Sequence, residues 1–256
     1  MKIGFIGTGK IASAVVEAIC TSELKDVEIL LSPRNEKNSK SLADQYMNVR
    51  RADSNQQVLD QAQIIFISLK TDVYKDVLSD LVFRDDHQVV SLVPYSTISI
   101  LTELVRPATK ISRATPLPTV VHHVCPVQVF NAGNDVKKIF SSIGQLLEVE
   151  TEKQFHAIWT LTGLISPYYD LMAAISDWAV EKGVEKSIAD KYTADMFHSL
   201  SLAASKSEYP DFNALSAHAA TPGGLNEWAA GFVKSASSHE AYKKAADQML
   251  KKFEAF

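Results

Sequence analysis

The stretch KIGFIGTGKIA at residues 2–12 decides the fold. It opens with the short apolar run Lys2–Ile6, which predicts a buried strand. From Lys10 to Ser22 the apolar residues recur at helical spacing. A strand that turns directly into a helix at a glycine-rich junction is the first half of a βαβ unit, so we predict an α/β fold.

The junction itself carries a binding motif. Its residues Gly7, Thr8, Gly9, Lys10, Ile11 and Ala12 match G-x-G-x-x-A. In this context Gly7 allows a tight turn, Gly9 lets the backbone approach a pyrophosphate, and Ala12 lets helix and strand pack closely. The helix start offers free N–H groups to phosphate. We therefore predict dinucleotide binding, the alternative being a glycine loop in an ordinary α/β domain.

The second predicted strand, Val27–Leu31, indicates which dinucleotide is bound. An NAD site has an acidic residue at the end of this strand for the ribose 2′-hydroxyl. Here the strand is followed by Ser32, Pro33, Arg34 and Asn35. Ser32 can donate a hydrogen bond, and Arg34 can pair with a 2′-phosphate, although a solvated charge at a helix start is the alternative. We predict a preference for NADP.

The rest of the chain separates into two halves. Strand-like runs at Ile64–Ser68, Gln88–Leu92, Lys110–Ala114 and Val127–Asn131 alternate with helical patterns at Asn35–Met47 and Asp72–Val82. Such alternation predicts a parallel sheet with helices on both faces. After Gly144 no strand is expected, and helices are predicted at Thr151–Ala179, Lys186–Ser205, Phe212–Ala219 and Leu225–Phe256. The predicted domains are 1–150, a Rossmann-type domain, and 151–256, an all-α domain.

Composition limits the classes of function. The 256 residues are 46% apolar and 22% charged, with a net charge of −4. These values are typical of a globular protein and argue against a general nucleic-acid or anionic-membrane surface. No run approaches the roughly 18 apolar residues of a membrane span, and no secretory leader is visible. A cytoplasmic location is expected. A disulfide between Cys20 and Cys125 is left open by the sequence.

Several segments together resemble the pyrroline-5-carboxylate reductase family, in the family's order. They are Gly4–Ala12, Lys70 after a strand, Arg113-Ala114-Thr115-Pro116, Ile143-Gly144 with Glu148, and Thr221-Pro222-Gly223-Gly224. The last resembles the family's Ser-Pro-Gly-Gly signature and is the most specific. The resemblance implies a Rossmann domain with a helical dimerisation domain, a homodimer, and NADPH-dependent reduction of a small cyclic imine, as in proline biosynthesis.

Departures from the family pattern fall at the substrate site. Leu225 and Asn226 replace two threonines, and Thr115-Pro116-Leu117 replaces Met-Pro-Asn. The Ser-Gly-Ser-Gly-Pro-Ala-Tyr type of segment is replaced by the longer Thr162–Tyr169. The implied substrate is therefore pyrroline-5-carboxylate or a related imine or carbonyl compound.

The candidate site residues follow from these motifs. The cofactor set is Gly7, Thr8, Gly9, Lys10, Ile11, Ser32, Arg34, Asn35, Leu69 and Lys70; the substrate set is Gly223, Gly224, Leu225 and Asn226; the catalytic candidates are Tyr169 and Ser166. Backbone amides at the glycine pair suit a carboxylate, and a tyrosine hydroxyl can donate a proton. Alternatives are a plain helix-start turn and aromatic packing between helices.

Two other functions stay open. A β-hydroxyacid-type dehydrogenase carries a catalytic lysine on its interdomain helix, and Phe155–Val180 contains none. A non-catalytic NADP-binding regulator is the second alternative, because the threonine pair is lost.

The cluster of His122, His123 and Cys125 lacks the ligand pairs of a structural metal site, so no metal is predicted.

Overall fold

The computed structural model describes residues 1–207 and 210–254. One sheet has the strand order β3-β2-β1-β4-β5-β6-β7-β8. The strands are β1 Lys2–Ile6, β2 Glu28–Leu31, β3 Val49–Arg51, β4 Ile64–Ile67, β5 Gln88–Ser91, β6 Lys110–Thr115, β7 Pro126–Phe130 and β8 Gln145–Val149. This order is the doubly wound arrangement of a dinucleotide-binding domain, so the predicted α/β class is confirmed.

The strand pairs are parallel, apart from β6 with β7, which is antiparallel. The reversal has a physical reason in the connection between these strands. Residues 116–125 contain only a short 3₁₀ turn, Pro118–His122, whereas a parallel crossover takes a dozen or more residues and usually a helix. The sheet is therefore mixed rather than purely parallel as the sequence predicted.

Helices cover both faces of the sheet. They are α1 Lys10–Thr21, α2 Glu36–Gln45, α3 Asn55–Gln61, α4 Tyr74–Ser79, α5 Ile98–Leu104, α6 Asn134–Ile143 and α7 Glu152–Leu161. Alternate residues of each strand point to opposite faces of the sheet and belong to two hydrophobic cores. Phe5 stacks on Phe66 on one face, with the ring centroids 4.7 Å apart, while Ile6 and Ile65 pack on the other. The continuous apolar runs in the sequence follow from this burial on both faces.

Two strands depart from the sequence expectation. The expectation of no strand after Gly144 was wrong, because β8 pairs in parallel with β7 from Pro126 beside Gln145 onward. As the last strand of the sheet, β8 leaves Leu147 and Glu148 exposed, so its sequence lacks a continuous apolar run. The three-residue β3 was too short to give a periodic signal.

The remaining helices are α8 Ile165–Glu181, α9 Lys186–Ser205, α10 Phe212–Ala219, α11 Leu225–Ser235 and α12 Ser238–Glu254. Of these, α9 and α10 have the predicted bounds, whereas the two other predicted helices are each divided in two. The predicted helix from Thr151 divides at a 3₁₀ turn, Thr162–Leu164, which contains Gly163, a poor helix former. The one from Leu225 divides at Ser237, whose φ of +56° is not helical.

The chain forms two compact units. The first comprises Met1–Trp159 with 252–254, and the second comprises Thr160–Lys251. The end of α12 belongs to the first unit because Phe253 packs there with Phe155 and Trp159, at ring distances of 5.8 Å to Trp159 and 4.7 Å to Tyr95.

Two further findings concern open questions of the sequence. Cys20 and Cys125 are both free thiols, so no disulfide joins them. Within residues 1–207 and 210–254, every helix is too short or too polar to traverse a lipid bilayer.

Candidate functional site

A cavity of about 540 Å³ opens at the carboxyl ends of β1, β2 and β4. It is lined by Gly7, Thr8, Gly9, Ser32, Arg34, Asn35, Glu36, Asn55, Ser68, Leu69, Lys70, Asp72, Val73 and Val77. Ligands of doubly wound sheets bind in the crevice beyond the strand ends, where the strand order reverses direction. Here the chain adds strands in one direction from β1 to β3 and in the other direction from β4 onward, so the reversal lies between β1 and β4. The cavity lies at that point.

The turn after β1 is fixed by short-range chemistry. Gly7 has a φ of +96°, and a Cβ there would clash with the carbonyl oxygen of Ser68. Its N–H donates to the Ser32 hydroxyl oxygen at 2.8 Å, which ties the end of β1 to the end of β2. The Thr8 hydroxyl donates to the Ser32 carbonyl at 3.3 Å, and the Asn35 amide donates to the Thr8 carbonyl at 2.9 Å.

The start of α1 suits an anion. Gly9 is its N-cap, and no side chain there accepts a hydrogen bond from the first-turn N–H groups. A Cβ built on Gly9 would meet no atom within 4 Å, so the backbone faces open space. First-turn amides without partners, together with the positive end of the helix dipole, are the donor set that a pyrophosphate needs.

The end of β2 supplies a hydroxyl and a cation. Ser32 is buried and accepts from Gly7, which leaves its own hydrogen to donate. Arg34 is exposed, and within the described part of the chain it forms no ion pair. The acidic Glu36 also lines the cavity, but its carboxylate lies 3.8 Å from the Arg51 guanidinium.

Most of the predicted cofactor residues come together in this cavity. Lys10 and Ile11 do not line it, since Lys10 is exposed at the start of α1 and Ile11 packs against the core beneath the sheet. Sequence reasoning missed Asn55, Ser68 and Asp72. Ser68 and Asp72 follow β4, and that position was the signal that could have identified them. Asn55 follows β3, which gave no signal in the sequence.

A buried cation lies under α7. Arg113 on β6 is fully buried, pairs with Glu152 at 2.8 Å, and donates to Nε2 of His156 at 2.7 Å. Its guanidinium also stacks over Phe155 and Trp159, at 4.7 and 5.4 Å from the ring centroids. Burial and the nearby guanidinium lower the pKa of the His156 imidazole, which agrees with a neutral ring that accepts at Nε2. This network holds the start of α7 to the sheet.

The second unit contains the predicted substrate turn, Thr221–Gly224. Gly223 has a φ of +72°, and its N–H donates to the Glu227 carboxylate at 2.8 Å. The Gly224 N–H donates to the Thr221 carbonyl at 2.8 Å. The Asn226 amide donates to the Ala219 carbonyl at 3.0 Å, and the side chain of Leu225 is 89% exposed.

The predicted proton donors lie in the first two turns of α8. Ser166 and Tyr169 are three residues apart and so share a helix face, and both are exposed. The Tyr169 ring contacts that of Tyr168 at 5.4 Å, and Tyr168 in turn contacts Phe197 at 5.7 Å. Their catalytic role stays a prediction.

The histidine segment is engaged in ordinary hydrogen bonding. The His123 ring lies 3.0 Å from the Thr21 hydroxyl and 3.4 Å from the Ser142 carbonyl, while Cys125 is buried. Over the described ranges, no three His, Cys, Asp or Glu side chains are grouped as metal ligands would be.

Comparison with known proteins matches both halves of the chain. Residues 2–95 match the family model described as NADP oxidoreductase coenzyme F420-dependent. Residues 152–255 match the model for pyrroline-5-carboxylate reductase dimerisation. The pyrroline-5-carboxylate reductase of Escherichia coli (strain K12) is 28% identical, over 99% of this chain and 97% of the relative.

Solved structures share the fold over the whole chain. The 1-pyrroline-5-carboxylate reductase of Streptococcus pyogenes superposes with a TM-score of 0.86 at 19% identity, covering 100% of this chain and 99% of that one. The Plasmodium falciparum pyrroline carboxylate reductase, solved with NADP bound, gives 0.85 at 19% identity, covering 100% and 97%.

The fold, the cavity at the strand ends and the N-terminal match define a dinucleotide-dependent oxidoreductase. The C-terminal match and the full-length relatives narrow this class. The second half of the chain matches the dimerisation domain of pyrroline-5-carboxylate reductases, and the chain is similar over nearly its whole length to enzymes of that name.

The two glycines of the turn predict different defects. Gly7→Ala places a side chain at positive φ against the Ser68 carbonyl, so we expect a loss of about 1–3 kcal/mol in unfolding free energy and weak NADPH binding. Gly9→Ala adds a methyl group to open space at a φ of −79°. It should keep its stability within roughly 0.5 kcal/mol and lose only NADPH affinity. Urea denaturation and NADPH fluorescence titration measure both, and a stable Gly7→Ala would contradict this account of the turn.

Proposed function

We propose that the chain is an NADPH-dependent reductase of a small cyclic imine, pyrroline-5-carboxylate or a related compound. The observation that carries this proposal is the cavity at the carboxyl ends of β1 and β2, with its uncapped α1 terminus and the exposed Arg34. Similarity to the relatives named above supports the reaction class, since they are reductases of that imine.

NADP fits the residues that line the cavity. The first-turn amides after Gly9 would hold the pyrophosphate. Ser32 would donate to the 2′-phosphate and Arg34 would pair with it, because a guanidinium matches phosphate geometry. Leu69 and Lys70, which follow β4, would contact the rest of the cofactor. Pairing of Glu36 with Arg51 reduces the repulsion that a free carboxylate would exert on a phosphate.

When bound, NADPH supplies a hydride to the imine carbon, the C=N electron pair passes to nitrogen, nitrogen takes a proton, and the imine becomes an amine as the cofactor becomes NADP⁺. The residues of the chain would position the imine and provide that proton. We assign the proton to Tyr169 with Ser166 beside it, because their hydroxyls share one exposed face of α8. Gly223, Gly224, Leu225 and Asn226 would line the substrate site.

The helical domain, which we place at 151–256, would form a homodimer and carry the substrate turn. Its matched model is a dimerisation domain. Large apolar side chains on α8–α11 are 60–89% exposed: Trp178, Tyr192, Phe212, Leu225, Trp228 and Phe232. Apolar surface of this extent is typical of a face that another protein covers. A monomeric mass at micromolar concentration would contradict the dimer.

The reaction itself is tested by NADPH oxidation at 340 nm with pyrroline-5-carboxylate and with a six-membered cyclic imine. We expect turnover of at least one imine, and a fall in kcat of about tenfold or more for Tyr169→Phe, because general-acid catalysis depends on that hydroxyl. Tyr168→Phe is the matched control and should keep its kcat. Tight NADPH binding without turnover of any imine would favour a non-catalytic regulator.

Arg34→Ala tests the cofactor preference. A hydrogen-bonded charge pair contributes roughly 1.5–3 kcal/mol, so the KM for NADPH should rise about 10- to 100-fold. The KM for NADH should change less than about twofold, because NADH lacks the 2′-phosphate. Lys37→Ala removes a neighbouring exposed cation outside the cavity and serves as the control. Equal efficiency of the wild-type protein with NADH and NADPH would refute the preference.

A further inference from the structure

An acidic residue lies in the dinucleotide cavity, near the end of β2. Glu36 is the first residue of α2 and lines the cavity with Ser32 and Arg34. Dinucleotide sites that prefer NAD carry an acidic side chain near the end of the second strand, where it accepts a hydrogen bond from the ribose 2′-hydroxyl. A free carboxylate there also repels the 2′-phosphate of NADP. The state of Glu36 therefore bears on the choice between the two cofactors.

The carboxylate of Glu36 is engaged by Arg51. Its Oε1 atom lies 3.8 Å from Nη1 of the Arg51 guanidinium. Arg51 is the last residue of β3 and pairs with Leu31 at the end of β2. Its side chain is 30% exposed, whereas that of Glu36 is 75% exposed, so the sheet holds the cation more firmly than the helix holds the carboxylate. Arg51 does not itself line the cavity, and Glu36 connects it to the cofactor site.

The two arginines have different parts in this arrangement. Arg34 lines the cavity and faces the space that the 2′-phosphate would occupy. Arg51 offsets the charge of Glu36, so that the positive charge of Arg34 is not cancelled by a carboxylate two residues further along the chain. Without Arg51, opposite charges at Arg34 and Glu36 would face the same ligand.

From this arrangement we infer that Arg51 is a specificity-determining residue, which engages Glu36 and so keeps the cavity selective for the 2′-phosphate of NADP. The inference rests on the proposed function, since it depends on the assignment of that phosphate to Ser32 and Arg34. Arg51 is a positioning residue, because it acts on the cofactor through Glu36. When Arg51 is removed, Glu36 is free to accept a hydrogen bond from the ribose 2′-hydroxyl of NAD.

Equilibrium binding of NADPH and of NADH to the full chain, followed by cofactor fluorescence at low ionic strength, tests the role of Arg51. Arg51→Gln should weaken NADPH binding about threefold or more, since a carboxylate is then left facing the phosphate. NADH binding should stay unchanged or become tighter. Arg51→Lys keeps the charge and should keep the preference for NADPH. At about 0.5 M salt the effect of Arg51→Gln should shrink, because salt screens exposed charges.

A double-mutant cycle with Glu36→Gln distinguishes action through Glu36 from direct action on the phosphate. Glu36→Gln alone should change the dissociation constant of NADPH less than about twofold, and the double variant should bind NADPH as the wild-type protein does. A loss that persists in the double variant means that Arg51 contacts the phosphate itself. Equal and opposite effects of the two single variants mean that the charges act independently. Either result overturns the inference.

Arg50→Gln is the matched control, because it removes the same charge from the preceding residue of β3. Successive residues of a strand point to opposite faces of the sheet, and Arg50 is exposed. This variant should leave both dissociation constants within about twofold of the wild-type values. A loss of NADPH affinity equal to that of Arg51→Gln reflects net charge alone and overturns the role of Arg51.

Failure of the proposed function gives a different pattern. Binding is measured without an imine, so the test of Arg51 holds whether or not any imine is reduced. A wild-type protein that binds neither dinucleotide, or binds both equally, refutes the cofactor assignment and the role of Arg51 together. A preference for NADPH that Arg51→Gln leaves unaltered overturns the role of Arg51 alone.

Discussion

The hydrogen bond from the Gly7 N–H to the Ser32 hydroxyl is the constraint on which the nucleotide-binding half depends. It joins the residues that follow β1 and β2, while the carbonyl of Ser68 after β4 closes against Gly7 from the other side. Parallel strands bring their carboxyl ends to one edge of the sheet. This contact fixes the residues after β1, β2 and β4 relative to one another. The start of α1, the Arg34 side chain and the cavity all take their positions from it.

A consequence is that the same few residues determine both the local fold of the turn and the space available to a dinucleotide. Gly7 is required for the backbone conformation, whereas Gly9 is required only for the space that it leaves open. A sequence motif has glycine at both positions and therefore does not distinguish the two requirements. The structure separates them, and it shows why a G-x-G pattern carries meaning only when a strand precedes it and a helix follows.

Much of this could be read from the sequence, and the gaps have physical reasons. Continuous apolar runs revealed β1, β2 and β4, since both their faces are buried. The short β3 and the half-exposed β8 produced no such run, so Asn55 beyond β3 was missed as well. The helix breaks at Thr162–Leu164 and at Ser237 were missed because the helical pattern of the sequence continues across them. The bond between Gly223 and Glu227 could not be predicted from spacing alone, because many first-turn glutamates point to solvent.

The position of Phe253 carries a consequence for how the chain is made. Its ring completes the aromatic cluster around Phe155 and Trp159, although the whole second unit intervenes in the sequence. Domains usually fold in order as they leave the ribosome. Here the first unit cannot complete that cluster until Phe253 has been synthesised. The helical unit must therefore emerge while Phe155 and Trp159 still lack Phe253, and apolar surface that is exposed in this interval favours aggregation.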